Sequence, residues 1–185
     1  MSDVFGRLSP DITVFACVDL QEKLFAAMHE KEKLAKNASI LVQAAKILEV
    51  PLIVSEQYPN GLGKTIPSIS SHFQPHTKIF EKMEFSALAN KSFHDAIPKP
   101  PQAMVIFGIE AHICVLQTAL DAKAMGYEAH VVSDATSSRT EENWRHALDR
   151  LGQSGIFISP TETILFQLLG SASNEKFKSV QALVK

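Results

Sequence analysis

Asp19 closes the first apolar run in VFACVDLQ, Lys82 closes the run KIFEK, and Cys114 ends the glycine-led loop GIEAHIC. A carboxylate, an ammonium and a thiol are together the parts of a nucleophilic acyl-transfer site. A thiol with a pKa near 8.5 is a poor nucleophile at neutral pH unless its thiolate is stabilised or a base takes its proton. Asp19 can accept that proton, while Lys82 can hold the carboxylate and favour the thiolate by its charge. Backbone N–H groups at the start of a helix carrying Cys114 would bind an oxyanion, each worth about 3 kcal/mol. Cys17, inside the first apolar run, lacks such neighbours and reads as core.

Each residue alone has an ordinary structural reading. An aspartate after a strand caps the next helix, a lysine is solvated, and a lone cysteine packs as a small hydrophobe. The chemistry therefore depends on elements that bring the three together. Six apolar segments read as strands: Thr13 to Asp19, Pro51 to Ser55, Lys78 to Lys82, Ala103 to Gly108, Glu128 to Ser133 and Gly155 to Ser159. Several are continuous apolar runs, as in parallel strands covered on both faces.

Between them Leu34, Ala38, Leu41, Ala45 and Leu48 form one helical stripe, and Ile113, Leu116, Leu120 and Ala124 form another that Gly126 stops. Further helices are expected from Thr140 to about Leu151 and from Thr161 to about Leu169, with Thr140 and Thr161 as N-caps. This alternation predicts a three-layer α/β/α sandwich on a six-stranded, mainly parallel, Rossmann-like sheet, in one domain spanning residues 1–185. Sites in such sheets form at the carboxyl ends of strands, where all three reactive residues fall. Gln57 to Pro75, rich in Pro, Gly and Ser, reads as a long loop with little regular structure, placed to close over a site.

Bulk properties narrow the function. The chain has 185 residues, 45% hydrophobic and 21% charged, with a net charge of -2, which gives no basic footprint for nucleic acid or anionic lipid. Two cysteines make no disulfide scaffold and fit a reducing compartment. The opening MSDVFGRLSP lacks the pattern of a secretory signal, and no run approaches the roughly 18 to 20 apolar residues of a membrane span. A cytoplasmic protein is expected.

The chain resembles the isochorismatase-like cysteine hydrolases, which include nicotinamidases and N-carbamoylsarcosine amidohydrolases. The likeness rests on VDLQ around Asp19, on K-x-x-F-S-A from Lys82 to Ala87, and on Gly108, Cys114 and Val115 followed by Thr118, Ala119, Asp121, Ala122, Gly126 and Tyr127. VVSDATSSR, from Val131 to Arg139, continues it. The resemblance implies a Cys114-Asp19-Lys82 triad, an oxyanion hole from the backbone N–H groups of Glu110 and Cys114, and a cis peptide between Ile109 and Glu110. By position it implies a pocket lined by Gln21, Leu24, Phe85 and Ile113, with Tyr58 and the loop through Thr65 over it.

The sequence also departs from the family. Nicotinamidases carry an Asp-x-His metal motif after the second strand, where this chain reads Val54-Ser55-Glu56-Gln57-Tyr58. No catalytic metal and no cofactor are therefore expected. His72 and His76 read as solvated loop residues. A cysteine nucleophile argues for amide or related acyl chemistry, in contrast to the vinyl ether substrate of isochorismatases proper. The expected function is metal-independent hydrolysis of a small-molecule amide by a homo-oligomer, a dimer or larger. A ribonuclease-like activity and a non-catalytic oligomeric role, the latter through TETILFQLL at Thr161 to Leu169, stand as alternatives.

Overall fold

The apolar runs and helical stripes resolve, in a computed structural model describing residues 5–98 and 102–185, into one sheet with helices on both faces. Met1 to Val4, the start of the stretch that lacks a secretory pattern, lie outside the described residues. Among the described residues six strands pair in the order β3-β2-β1-β4-β5-β6. They are β1 (Thr13–Val18), β2 (Leu52–Gln57), β3 (Lys78–Lys82), β4 (Ala103–Ile109), β5 (Glu128–Ser137) and β6 (Phe157–Ser159), and every pairing is parallel. β1 and β4 are buried at every position, which explains their unbroken apolar character. The strand order reverses between β1 and β4, so a crevice opens outside their carboxyl ends.

The two sheet faces are covered by different helices. α1 (Glu22–Phe25) is a single turn after β1, and α2 (Lys31–Leu48) buries Leu34, Ala38, Leu41, Ala45 and Leu48 against Phe15, Phe107 and Val105. α3 (Pro59–Leu62), α4 (Pro67–Ser70) and α5 (Lys91–Asp95) follow, then α6 (Leu116–Ala124), α7 (Glu141–Gln153), α8 (Thr161–Leu169) and α9 (Phe177–Gln181). α8 joins α2 on the first face through Ile164, Leu165 and Leu168. Phe93 of α5, Ala119 and Ala122 of α6, and Leu151 of α7 cover the second face. No helix among the described residues is long and apolar enough to cross a membrane.

Several sequence expectations need correction. Thr140 caps α7 as expected, its side chain accepting from Asn143 N. Thr161 does not cap α8: it is the first helical residue, and both its N–H and its hydroxyl donate to Asp134 Oδ1, at 2.8 and 2.7 Å. A carboxylate distant in sequence does the capping there. β5 runs four residues beyond Ser133, to Ser137, through an irregular register opposite Ile106 and Gly108. The segment from Gln57 to Pro75 holds the short α3 and α4, and Gln21 bridges to Thr65 within it. Most of TETILFQLL is core, with Phe166 turned outward against Phe177.

Candidate active site

Strand alternation alone would separate the reactive residues. Val14, Ala16 and Val18 of β1 point to the face that holds Cys114, whereas Phe15 and Cys17 point to the α2 face. One more extended residue would send Asp19 after Cys17. Instead β1 ends at Val18 and Asp19 adopts a left-handed backbone, φ 51°. Its carboxylate then meets Ser55 and Lys82, which lie on the Cys114 face: Val18 is in register with Ser55, and Ser55 with Phe80, two residues before Lys82.

The resulting ion pair is buried on both sides. Lys82 Nζ donates to Asp19 Oδ2 at 2.7 Å, and both side chains are fully shielded from solvent. A buried pair of this kind is stable only when its remaining hydrogen-bonding groups are satisfied. Ser55 Oγ donates to Asp19 Oδ1 at 2.7 Å, while Lys82 Nζ also reaches Gln57 Oε1 at 2.7 Å and the carbonyls of Glu84 and Phe85 at 3.1 and 3.2 Å.

Cys114 enters from β4 by a different device. Gly108 takes φ 123°, and a Cβ there would lie 2.0 Å from the Val18 carbonyl oxygen. Only glycine lets the end of β4 lie this close to the end of β1. The peptide between Ile109 and Glu110 is cis, and Ala111–Val115 form a wide π-helical turn before α6. The Glu110 carbonyl accepts from Ile113 N at 3.0 Å and from Val115 N at 3.2 Å, with the Cys114 amide between them. Such widened turns recur at functional sites. Thr118 Oγ1 donates to the Cys114 carbonyl at 2.7 Å and accepts from Ala87 N at 2.9 Å, tying the segment after Lys82 to the cysteine turn.

The Cys114 thiol interacts with both members of the ion pair. Burial pushes its pKa up to about 12, the Asp19 charge adds to the rise, and the Lys82 charge and hydrogen bond oppose it. The Lys82 charge favours the thiolate, as the residue types imply. Desolvation and the Asp19 carboxylate outweigh it, which holds the thiol protonated beside an acceptor for its proton.

The other expected site residues divide. Glu110 is buried, and its carboxylate is drawn to Arg139, accepting from Nε at 3.0 Å. Gln21 does not offer its amide to a pocket: it is fully buried, accepts from Gln57 N at 2.7 Å and donates to the carbonyls of Gln57 and Gly63. Leu24 packs against the α2 side of the core, away from the Cys114 face, and Ile113 packs beside Cys114. Phe85 is exposed next to the Lys82 ammonium that its carbonyl accepts, and Tyr58, also exposed, donates its N–H to the Lys82 carbonyl at 3.0 Å. The loop carrying Tyr58 is pinned further by Glu56, whose Oε1 accepts from Thr65 N and Oγ1. Ser55, Gln57 and Glu56 were not singled out as site residues. Their common signal was a polar run closing an apolar strand. Among the described residues no group of three or more His, Cys, Asp or Glu is placed to hold a metal ion.

Comparison with known proteins shows the family and the fold. The isochorismatase domain model matches residues 13–163. An isochorismatase domain-containing protein 1 from Salmo salar is 39% identical over 98% of this chain, and the chain spans 64% of that relative's length. The structure of a MAR1 ribonuclease from Caenorhabditis elegans superposes with a TM-score of 0.93 at 36% identity, covering 97% of this chain and 92% of the other. The YcaC protein of Escherichia coli, described as an octameric hydrolase of unknown specificity, shares the fold, with a TM-score of 0.91 at 23% identity over 98% and 92% of the two chains.

Proposed function

This chain belongs to the isochorismatase family of hydrolases, and we propose that it cleaves a small amide or related acyl compound through a thioester on Cys114, without a metal. One observation carries the reading: the thiol of Cys114 adjoins a fully buried Asp19–Lys82 ion pair at the strand-order reversal. In the reaction Asp19 takes the thiol proton as sulfur attacks the substrate carbonyl. The backbone N–H groups of Glu110 and Cys114 receive the developing oxyanion. Asp19 then passes the proton to the leaving nitrogen, the C–N bond breaks, and an acyl-thioester remains. Water, deprotonated by Asp19, attacks that thioester, releases the acid and returns the thiol. Lys82 holds Asp19 in place and offsets the negative charge that moves to sulfur.

The high resting pKa of Cys114 fits this order of events. A thiol held neutral by burial gives up its proton only as the carbonyl is attacked, to a base already beside it. Ile113, Phe85 and Tyr58 supply an apolar border suited to a compact substrate. The test is a panel of small amides and carbamoyl compounds, screened for ammonia or amine release. The expected result is turnover by the wild type and none by Cys114→Ala. Turnover retained by Cys114→Ala would refute the nucleophile assignment.

An RNA-cleaving role draws on the description of the C. elegans structure. A net charge of -2 and a Lys82 with no exposed side-chain surface give it less support. Salt-dependent RNA binding lost on surface lysine changes, and indifferent to Cys114→Ala, would favour it. We propose in addition a homo-oligomer, in keeping with the octameric YcaC protein; light scattering at micromolar concentration would detect a dimer or larger.

A further inference from the structure

We infer that Gln57 is a positioning residue for Lys82: its neutral amide fixes the ammonium without cancelling the ammonium's charge. The inference rests on the reading of Cys114 as nucleophile. Gln57 Oε1 accepts from Lys82 Nζ at 2.7 Å, as short as the contact to Asp19, and Gln57 Nε2 donates to the Met83 carbonyl at 2.9 Å. The Gln57 backbone is clamped in turn by the Gln21 amide, which accepts from its N–H at 2.7 Å and donates to its carbonyl at 2.9 Å. Gln21 follows Asp19 by two residues, so one short segment sets both the base and, through Gln57, the cation beside it.

The choice of amide over carboxylate has a charge consequence. At rest Lys82 is in contact with one anion, Asp19, and the exposed Glu84 carboxylate acts on it without contact. When Asp19 takes the thiol proton it becomes neutral, and the Lys82 charge is left to act on sulfur. Three further acceptors hold the ammonium at that moment, Gln57 Oε1 and the carbonyls of Glu84 and Phe85, and all are uncharged. A glutamate at position 57 would keep the shape and the acceptor for Lys82, lose the hydrogen bond to the Met83 carbonyl, and counter the Lys82 charge permanently.

The probe is iodoacetamide, with Cys114 alkylation followed by peptide mass at pH 8 in wild type, Gln57→Glu and Gln57→Met, each checked for native folding by circular dichroism. Below its pKa a thiol's reactive fraction falls tenfold for each unit of upward shift, and an added anion within contact distance shifts it by about one unit or more. Gln57→Glu should therefore label at least about tenfold more slowly than wild type. Gln57→Met, which loses both hydrogen bonds but leaves the charge of Lys82 intact, should slow by about threefold. A role in packing alone gives the opposite ranking, with methionine the more damaging. Equal labelling of Gln57→Glu and wild type, or slower labelling of Gln57→Met than of Gln57→Glu, overturns the inference. If Gln57→Glu does not fold, labelling of Gln57→Met as fast as that of wild type overturns it by itself. The nucleophile reading fails separately, through retained turnover of Cys114→Ala.

Discussion

Cys17 and Cys114 are both buried thiols that feel the charge of Asp19, and burial pushes both pKa values upward. They differ in what else surrounds the sulfur. Cys17 sits in the middle of β1 on the α2 face, with Glu56 as a second anion nearby. Cys114 lies on the opposite face, where both Asp19 and Lys82 act on its thiol. Low dielectric alone makes a thiol inert. A base to take the proton and a cation to balance the charge convert the same burial into a site.

The largest expected contrast is in turnover. Cys114→Ala should lower kcat by about three orders of magnitude or more, as loss of a covalent nucleophile does. Cys17→Ala should leave kcat within about twofold while lowering stability by about 1–2 kcal/mol, read by urea unfolding. The comparison breaks if Cys17→Ala, still folded, is as inactive as Cys114→Ala. Next in size is Lys82→Met, which strands the Asp19 carboxylate inside the protein. It should reduce the unfolding free energy by about 3–5 kcal/mol, and an unchanged urea midpoint would show the pair to be less buried than it stands.

His130 sharpens the contrast from the side of burial without a partner. It stacks on Phe157, its two ring nitrogens have no hydrogen-bond partner, and burial lowers its pKa to about 4. A histidine with a depressed native pKa stays neutral when folded while the unfolded chain protonates near pH 6.5. Stability is therefore full above pH 6.5 and falls as the pH drops toward 4, by about 3 kcal/mol over that window. His130→Phe should flatten this part of a pH–stability curve; an equally steep curve in the variant rules His130 out as its source.

The last contrast concerns what the two cysteines share. The native pKa of Cys114 exceeds that of an unfolded thiol, so its contribution to stability is complete below pH 9.0 and declines as the pH rises toward 12. Between pH 9.0 and 11 wild type should lose up to about 1.4 kcal/mol per pH unit relative to Cys114→Ala. Cys17→Ala should differ from wild type with the same sign. An effect confined to Cys114 would mean that contact with charge, and not desolvation, governs its titration.

Much of the fold was legible because it depends on local pattern. Continuous apolar runs gave the strands, the stripe from Leu34 to Leu48 gave α2, and Thr140 with its serviceable hydroxyl gave the start of α7. The same reasoning misplaced the cap of α8, since Asp134 reaches Thr161 from within β5, distant in sequence. It passed over Ser55 and Gln57, whose partners come from β1 and β3 and are adjacent only by register.

What the sequence determined by itself is therefore an inventory and an approximate address: a thiol, a carboxylate and an ammonium, each at the carboxyl end of a strand. Tertiary structure decided the rest. The left-handed turn at Asp19 carries it onto the Cys114 face, and Gly108 permits the approach of β4 to β1. Whether the thiol rests protonated depends on desolvation and on the balance between Asp19 and Lys82. Such a balance sums over groups that meet only in the folded chain, and no local run of residues encodes it.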